Sequence, residues 1–226
     1  MFSRKITTYI KNKQKSNLHI DRRYYVIICI SLIIFVAGSI TFELFTPHLW
    51  FENKLDNIEK NIIVLTLETA PIRKDVKGEK YTVVRPQTKF NIIQPDNERR
   101  EYIKKKLKIE GYDITFILDE LFEKNKKSVP LDIQTKLPKG YKIDFENKFN
   151  KYFEKEGGSW TKLHEENPNV FGLTNVSRPA YDKKNGIVLI YIDILTGGLS
   201  GYGMIFAYKY DENKLTLLGK LGLWVA

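Results

Sequence analysis

The chain has 226 residues, of which 42% are hydrophobic, 13% aromatic and 28% charged. That composition excludes a disordered chain and gives enough apolar material for one folded domain with an anchoring segment. The formal net charge of +10 points first to nucleic acid, but residues 1–23 hold seven Lys/Arg against Asp21, leaving 30 cations and 26 acids for the other 203 residues. A phosphate-binding domain carries a concentrated basic face of its own, so no nucleic-acid partner is expected.

The basic tail 1–23 is followed by Tyr24 to Phe42, YYVIICISLIIFVAGSITF, 19 residues without a charge. At about 1.5 Å per residue such a helix spans roughly 28 Å, close to the ~30 Å hydrocarbon core of a bilayer. Tyr24 and Tyr25 mark one border, and Phe42, Phe45, Trp50 and Phe51 mark the other, where aromatic rings favour the headgroup layer. The cations precede the segment, so the positive-inside rule places the N-terminus in the cytoplasm. The expected location is the plasma (inner) membrane, spanned once, with the bilayer as partner through Tyr24 to Phe42 and the C-terminal domain periplasmic or extracellular. Ala37-Gly38-Ser39 offers a small-x-small cleavage site for the competing reading, a secretory signal, but the 23-residue charged lead is long for one. Cys29, the only cysteine, lies inside this segment. The exported part therefore has no disulfide.

After a juxtamembrane linker at 43–54, residues 55–226 read as an α+β domain: helices packed on a mainly antiparallel C-terminal meander. Leu55 to Leu67 has apolar residues at 55, 58, 62 and 65, an amphipathic helix whose Ile/Val content leaves a strand open. Tyr81 to Val84 reads as a strand ended by Pro86. Asp96 to Glu110 is dense in charge and reads as a solvated helix or surface insertion. Asp113 is the expected N-cap of a helix with its apolar stripe at Ile114, Ile117, Leu118, Leu121 and Phe122. Asp144 is expected to cap another, carrying Phe145, Phe149, Tyr152 and Phe153 and stopped by Gly157-Gly158.

From Leu173 the apolar period changes to 2, and four strands are expected: Leu173 to Tyr181, Ile187 to Leu195, Tyr202 to Tyr210 and Leu215 to Val225. Their short joins require antiparallel hairpins. Alternation in the last strand puts Leu215, Leu217, Leu221, Leu223 and Val225 on one core-facing side.

The run Gly158-Ser159-Trp160, Pro168, Gly172, Ser177-Arg178, Tyr181, Leu189, Tyr191, Gly197-Gly198-Leu199-Ser200-Gly201-Tyr202-Gly203 and Trp224 resembles a group of uncharacterised bacterial exported and membrane-anchored proteins. Their tail shows S-R-x-x-[FY], a strand with L-x-Y, G-G-x-x-G-x-G and a final tryptophan. The resemblance extends loosely over 57–226, through Leu121-Phe122-Glu123-Lys124-Asn125 and the strand ending near Thr88. It implies a shared fold unit and no particular reaction. Cysteines often flank the glycine turn in that group, whereas Thr196 and Ser200 stand there in this chain.

No H-E-x-x-H, G-x-S-x-G or P-loop string occurs, and the histidines are His19, His48 and His164. Neither a metal site nor a cofactor is expected, because one histidine without an exported cysteine makes no zinc set. Thr196 to Gly203 reads as a structural turn, since phosphate cradles lead into a helix and here a strand follows. If that hairpin pairs Leu195 with Tyr202, then Asp193 faces Met204 and Tyr191 faces Phe206. Asp193 becomes a carboxylate on an aromatic face, which must find a partner, raise its pKa or serve a site. Asp193, Tyr191, Thr196, Ser200 and Tyr202 are the candidate ligand-binding residues, and no catalytic residue is assigned. The expected function is a membrane-anchored module binding a protein or small molecule outside the cytoplasm. A hydrolase or other enzyme built around Asp193 and the Gly197–Gly203 turn is the alternative.

Overall fold

A computed structural model describes residues 54–70, 80–90, 97–133, 137–154 and 159–226. The tail 1–23, the segment Tyr24–Phe42, most of the linker and the Gly157-Gly158 stop lie outside the described residues. The chain divides into Met1–Trp50 and Phe51–Ala226, and everything described belongs to the second unit. Among the described residues no helix is long and apolar enough to cross a membrane.

The domain is α+β, with four described α-helices and a mostly antiparallel sheet. Helix α1, Asn57–Thr69, begins with a capping box in which Asp56 accepts from the Glu59 amide and Glu59 accepts from the Asp56 amide. Its buried stripe of Ile62, Ile63 and Leu67 settles the helix-or-strand ambiguity. Strand β1 is Tyr81–Val84, and charge-dense α2 is Asn97–Lys106 with Ile103 alone buried. Helix α3, Thr115–Lys124, buries the expected Ile117, Leu118, Leu121 and Phe122. Asp113 sits one residue before the cap position and accepts from the Thr115 amide.

The helix expected after Asp144 does not form. Strand β2, Tyr141–Ile143, leads into a turn in which Asp144 accepts from the Lys148 and Phe149 amides, and only a 3-10 turn at Asn150–Tyr152 follows. Asn147 adopts φ 52°, the left-handed region that interrupts a right-handed helix. Phe149 and Tyr152 are buried, but Phe145 is largely exposed.

Helix α4 is Trp160–Glu166, and the strands that follow are β3 Val170–Val176, β4 Ala180–Asp182, β5 Ile187–Gly197, β6 Ser200–Asp211 and β7 Lys214–Val225. The sheet order is β2-β1-β3-β5-β6-β7, with β4 beside β5. Strand β1 runs parallel to both β2 and β3, and the pairs from β3 onward are antiparallel. The single strand expected over Leu173–Tyr181 is thus two, both lying along β5. Pro179 has no N–H for a ladder, and Ser177 bridges the gap: its amide donates to the Tyr191 carbonyl and its hydroxyl accepts from the Tyr191 amide.

Strand β5 is buried on both faces, so its apolar run does not alternate. Val188, Ile190, Ile192 and Ile194 join a core with α1, and Ile187, Leu189 and Tyr191 join a second core with α2 and α3. A third cluster gathers Val83, Phe149, Tyr152, Leu163, Val170 and Leu173. The β5–β6 register is one residue off the expected one: Leu195 pairs with Gly201, Asp193 with Gly203 and Tyr191 with Ile205. The shift follows from a bulge between Leu195 and Gly197 that leaves Gly198-Leu199 as a two-residue turn. Bulges also overturn the expected single core face of β7. The register shifts between Ala207 and Tyr208, so Leu215 packs in the first core and Leu221 and Leu223 against the second, while Leu217 and Val225 are exposed.

Candidate functional site

Directly opposed residues in a sheet share a face, and the register lines up one row across this one. Val84 pairs with Ile143 and with Thr174, which brings the next residues, Asp144, Arg85 and Asn175, side by side. Asn175 pairs with Asp193, Asp193 with Gly203 and Gly203 with Trp224. A polar stripe therefore crosses the sheet between the α2–α3 core, which contains Tyr191, and the third cluster, which contains Leu173.

Asp193 is the centre of this stripe and is fully buried, at 0% exposure. Its Oδ1 accepts from the Asn175 amide at 3.1 Å and from Asn175 Nδ2 at 2.8 Å. Its Oδ2 accepts from the Tyr191 hydroxyl at 3.1 Å, which itself accepts from Trp224 Nε1 at 2.9 Å. Burial, and then the Asp193 charge, hold the Tyr191 hydroxyl far above its ordinary pKa, with the Trp224 bond opposing. Gly203 lies under this chain of bonds. A Cβ there would stand 2.1 Å from Trp224 Nε1 and 2.5 Å from the Tyr191 hydroxyl, so the position admits only glycine if the Trp224–Tyr191–Asp193 relay is to close.

At the other end of the stripe a cleft of about 330 Å³ opens, lined by Arg85 to Lys89, Ser128, Asn147, Asn150 and Asn175. The loops after β1 and β2 supply its walls. Arg85 donates to Asn150 Oδ1. Burial pushes the guanidinium pKa down, and the nearby carboxylates of Asp144 and Asp193 push it back up. Asn175 is 3% exposed, and its Oδ1 is buried without a hydrogen-bond partner among the described residues. The amide orientation is fixed by its neighbour: Asp193 can only accept when ionised, so the Asn175 nitrogen faces it and the oxygen is left over. A buried carbonyl oxygen without a partner costs about 1–3 kcal/mol.

Of the residues singled out from the sequence, the structure brings Asp193 and Tyr191 together. Thr196 and Ser200 meet elsewhere, hydroxyl to hydroxyl at 2.8 Å across the β5–β6 turn, whose tip Leu199 is 91% exposed. Tyr202 packs with the first core, on the opposite face from Asp193. Sequence reasoning missed Arg85, Asn147, Asn150 and Asn175. Arg85 reads only as the residue before a strand-ending proline, and Asn175 becomes legible once the register pairs it with Asp193.

The Ser177-Arg178 element has a structural role. Arg178 Nε donates to Glu59 at 2.8 Å, Lys124 Nζ lies 3.2 Å from the same oxygen and 2.7 Å from Glu120, and Glu59 and Arg178 are both buried. Asn125 clasps the Arg178 backbone from both sides, at 2.7 and 2.8 Å. This network ties α1 and α3 to the break between β3 and β4. His164 packs at a tilt of 52° against Trp160, with ring centroids 5.8 Å apart, and the described residues contain no group of three or more His, Cys, Asp or Glu placed to hold a metal. Compared with protein families, curated proteins and solved structures, the chain finds no match.

Proposed function

We propose that this chain is a single-pass, membrane-anchored binding module whose extracytoplasmic domain takes a small ligand in the cleft beside Arg85. The observation that carries the reading is the cleft itself, a polar hollow of about 330 Å³ lined by Arg85, Lys89, Ser128, Asn147, Asn150 and Asn175 from separate segments of the chain. Clefts at the carboxyl ends of parallel strands are where open sheets present backbone and loop groups to ligands, and β1 pairs in parallel with both β2 and β3 here. The enzyme alternative has less support. Asp193 is fully buried and bonded to Asn175 and Tyr191, and Tyr191 packs edge-on against Phe90, so the carboxylate belongs to a filled polar stripe. The anchor and its orientation rest on the uncharged Tyr24–Phe42 segment and the cations before it.

A thermal-shift screen of the full chain in detergent micelles against small polar metabolites tests the binding reading. Compounds that raise the melting temperature should lose that effect in Ser128→Trp, which fills the cleft from its exposed rim. Shifts that are absent, or equal in both proteins, refute it. For topology, a C-terminal alkaline phosphatase fusion should be active and a fluorescent fusion that matures only in the cytoplasm dark.

A further inference from the structure

The sheet ends at β7, a strand of 12 residues that among the described residues pairs only with β6. In an antiparallel ladder, residues whose N–H and C=O bond to the neighbouring strand alternate with residues whose groups point away from it. Gly201 and Ala226 exchange both bonds, which makes the odd-numbered residues of β6 the ones bonded to β7; Tyr210, an even one, donates to Gly186 on the β5 side. By the register, Leu215, Leu217, Lys220, Gly222 and Val225 stand opposite even residues of β6, so their amides and carbonyls point outward along the edge. Bulges at Leu218 and Leu223 bracket Gly219 to Gly222, an unbroken stretch whose outward groups are those of Lys220 and Gly222. Leu217 and Val225, 49% and 84% exposed, add apolar side chains to the rim. Natural sheets blunt such an edge with proline or charge. Strand β7 has no proline and no acid, and its only charges are Lys214 and Lys220. Asp211 and Glu212 of the adjoining turn offset Lys214. At the middle of the strand the end of α2 adds cations instead. Leu107 and the Lys108 carbonyl lie over Gly219, 3.3 and 3.6 Å from where its Cβ would stand, and the exposed Lys106 and Lys108 flank Leu107. Asp113 acts on Lys108, but Lys106 and Lys220 have no ion pair among the described residues.

We infer that the outer edge of β7 takes up a short, extended, acidic segment of a partner protein as an added strand, with a glutamate or aspartate opposite Lys220. The main chain of the segment bonds to the outward groups of Lys220 and Gly222, which supplies affinity without regard to sequence. Charge supplies the selection. A second copy of this chain paired edge to edge about the middle of β7 would set Lys220 against Lys220, and like charges directly opposite are destabilising, whereas an acid in that place is stabilising. The lysine that keeps copies of the chain apart is thus the one that admits an acidic strand. This surface is separate from the cleft, since β7 and the β1–β2 pair lie at opposite ends of the sheet.

Fluorescence anisotropy on the full chain in micelles tests this with three labelled probes: a heptapeptide alternating glutamate with valine, its lysine–valine counterpart, and the glutamate peptide methylated at every glutamate nitrogen. The glutamate peptide should bind saturably. The lysine peptide, which has the wrong charge, and the methylated peptide, which cannot complete the ladder, should each bind at least tenfold more weakly. Lys220→Glu should weaken the glutamate peptide about tenfold and tighten the lysine peptide. Gly222→Pro removes an outward amide at a position where a Cβ meets nothing within 4 Å, so it should abolish binding while the melting temperature stays near that of the parent chain. If that variant unfolds, the methylated peptide decides the ladder by itself. No saturable binding of the glutamate peptide, equal binding of the methylated or the lysine peptide, or binding unchanged in Lys220→Glu overturns the inference. So does a dimer in sedimentation velocity that Gly222→Pro splits, since that outcome gives the edge to a second copy.

Discussion

Replacing Asp193 separates a carboxylate that holds the sheet's polar stripe together from one that merely sits in it. Asp193→Ala leaves three buried donors unpaired: the Asn175 amide, Asn175 Nδ2 and the Tyr191 hydroxyl. At about 1–3 kcal/mol for each buried group left without a partner, and with part recovered by rearrangement, the loss should be about 4 kcal/mol. Against the roughly 5–15 kcal/mol that holds a domain folded, that is a large fraction. Asp193→Asn keeps one oxygen for both Asn175 donors and gives up the acceptor for Tyr191 and the charge felt by Arg85, so it should cost about 1–2 kcal/mol. Urea unfolding of the full chain in micelles, followed by tryptophan fluorescence, reads the difference. Tyr191→Phe should cost about 1–2 kcal/mol in the parent chain and less on top of Asp193→Asn, because of the two bonds it removes, to Asp193 and from Trp224, the first is already gone. Equal costs for the alanine and asparagine changes, or additive costs for the double change, would refute this account of the stripe.

Gly203→Ala should destabilise by about 1–3 kcal/mol, because its Cβ falls on Trp224 and the Tyr191 hydroxyl; adding Trp224→Phe, which removes the clashing N–H, should recover part of the loss in the same melts. Arg178→Met should cost about 2–4 kcal/mol, since it leaves buried Glu59 with Lys124 as its remaining cation, and thermal melts with Glu59→Gln added should show a smaller combined loss than the sum. Burial and Asp193 raise the Tyr191 pKa, so its stabilisation is fully present below the unfolded tyrosine value near pH ~10 and is lost as pH rises beyond it. Tyr112 and Tyr208 are held up as well, so absorbance at high pH should show one fewer late-ionising phenol in Tyr191→Phe than in the parent chain.

Local chemistry made much of the domain legible in the sequence. The stripe of Ile117, Leu118, Leu121 and Phe122 specifies a helix face whatever it packs on, and the short joins between the last strands allow only hairpins. The Glu212-Asn213 turn, with φ of 40° and 68°, closes β6 on β7 in the left-handed geometry that two-residue hairpins favour. Asp193 stood out for the same reason, as one carboxylate in an otherwise apolar strand. Its surroundings were decided elsewhere. One bulged residue at Thr196 moved its partner from Met204 to Gly203, and another bulge in β7, between Leu217 and Gly219, put Leu215 and Leu217 on the first-core face and Leu221 on the second, because side-chain direction has a period of two and a single insertion reverses every residue beyond it. Asp144 carries the capping chemistry of a helix start, yet it caps a turn, since Asn147 leaves the helical region three residues later. The cleft belongs wholly to the tertiary level. Arg85, Ser128, Asn147, Asn150 and Asn175 sit on segments that share no periodicity, and only the parallel pairing of β1 with β2 and β3, a contact between strands far apart in the chain, brings Arg85, Asn147, Asn150 and Asn175 to one cleft.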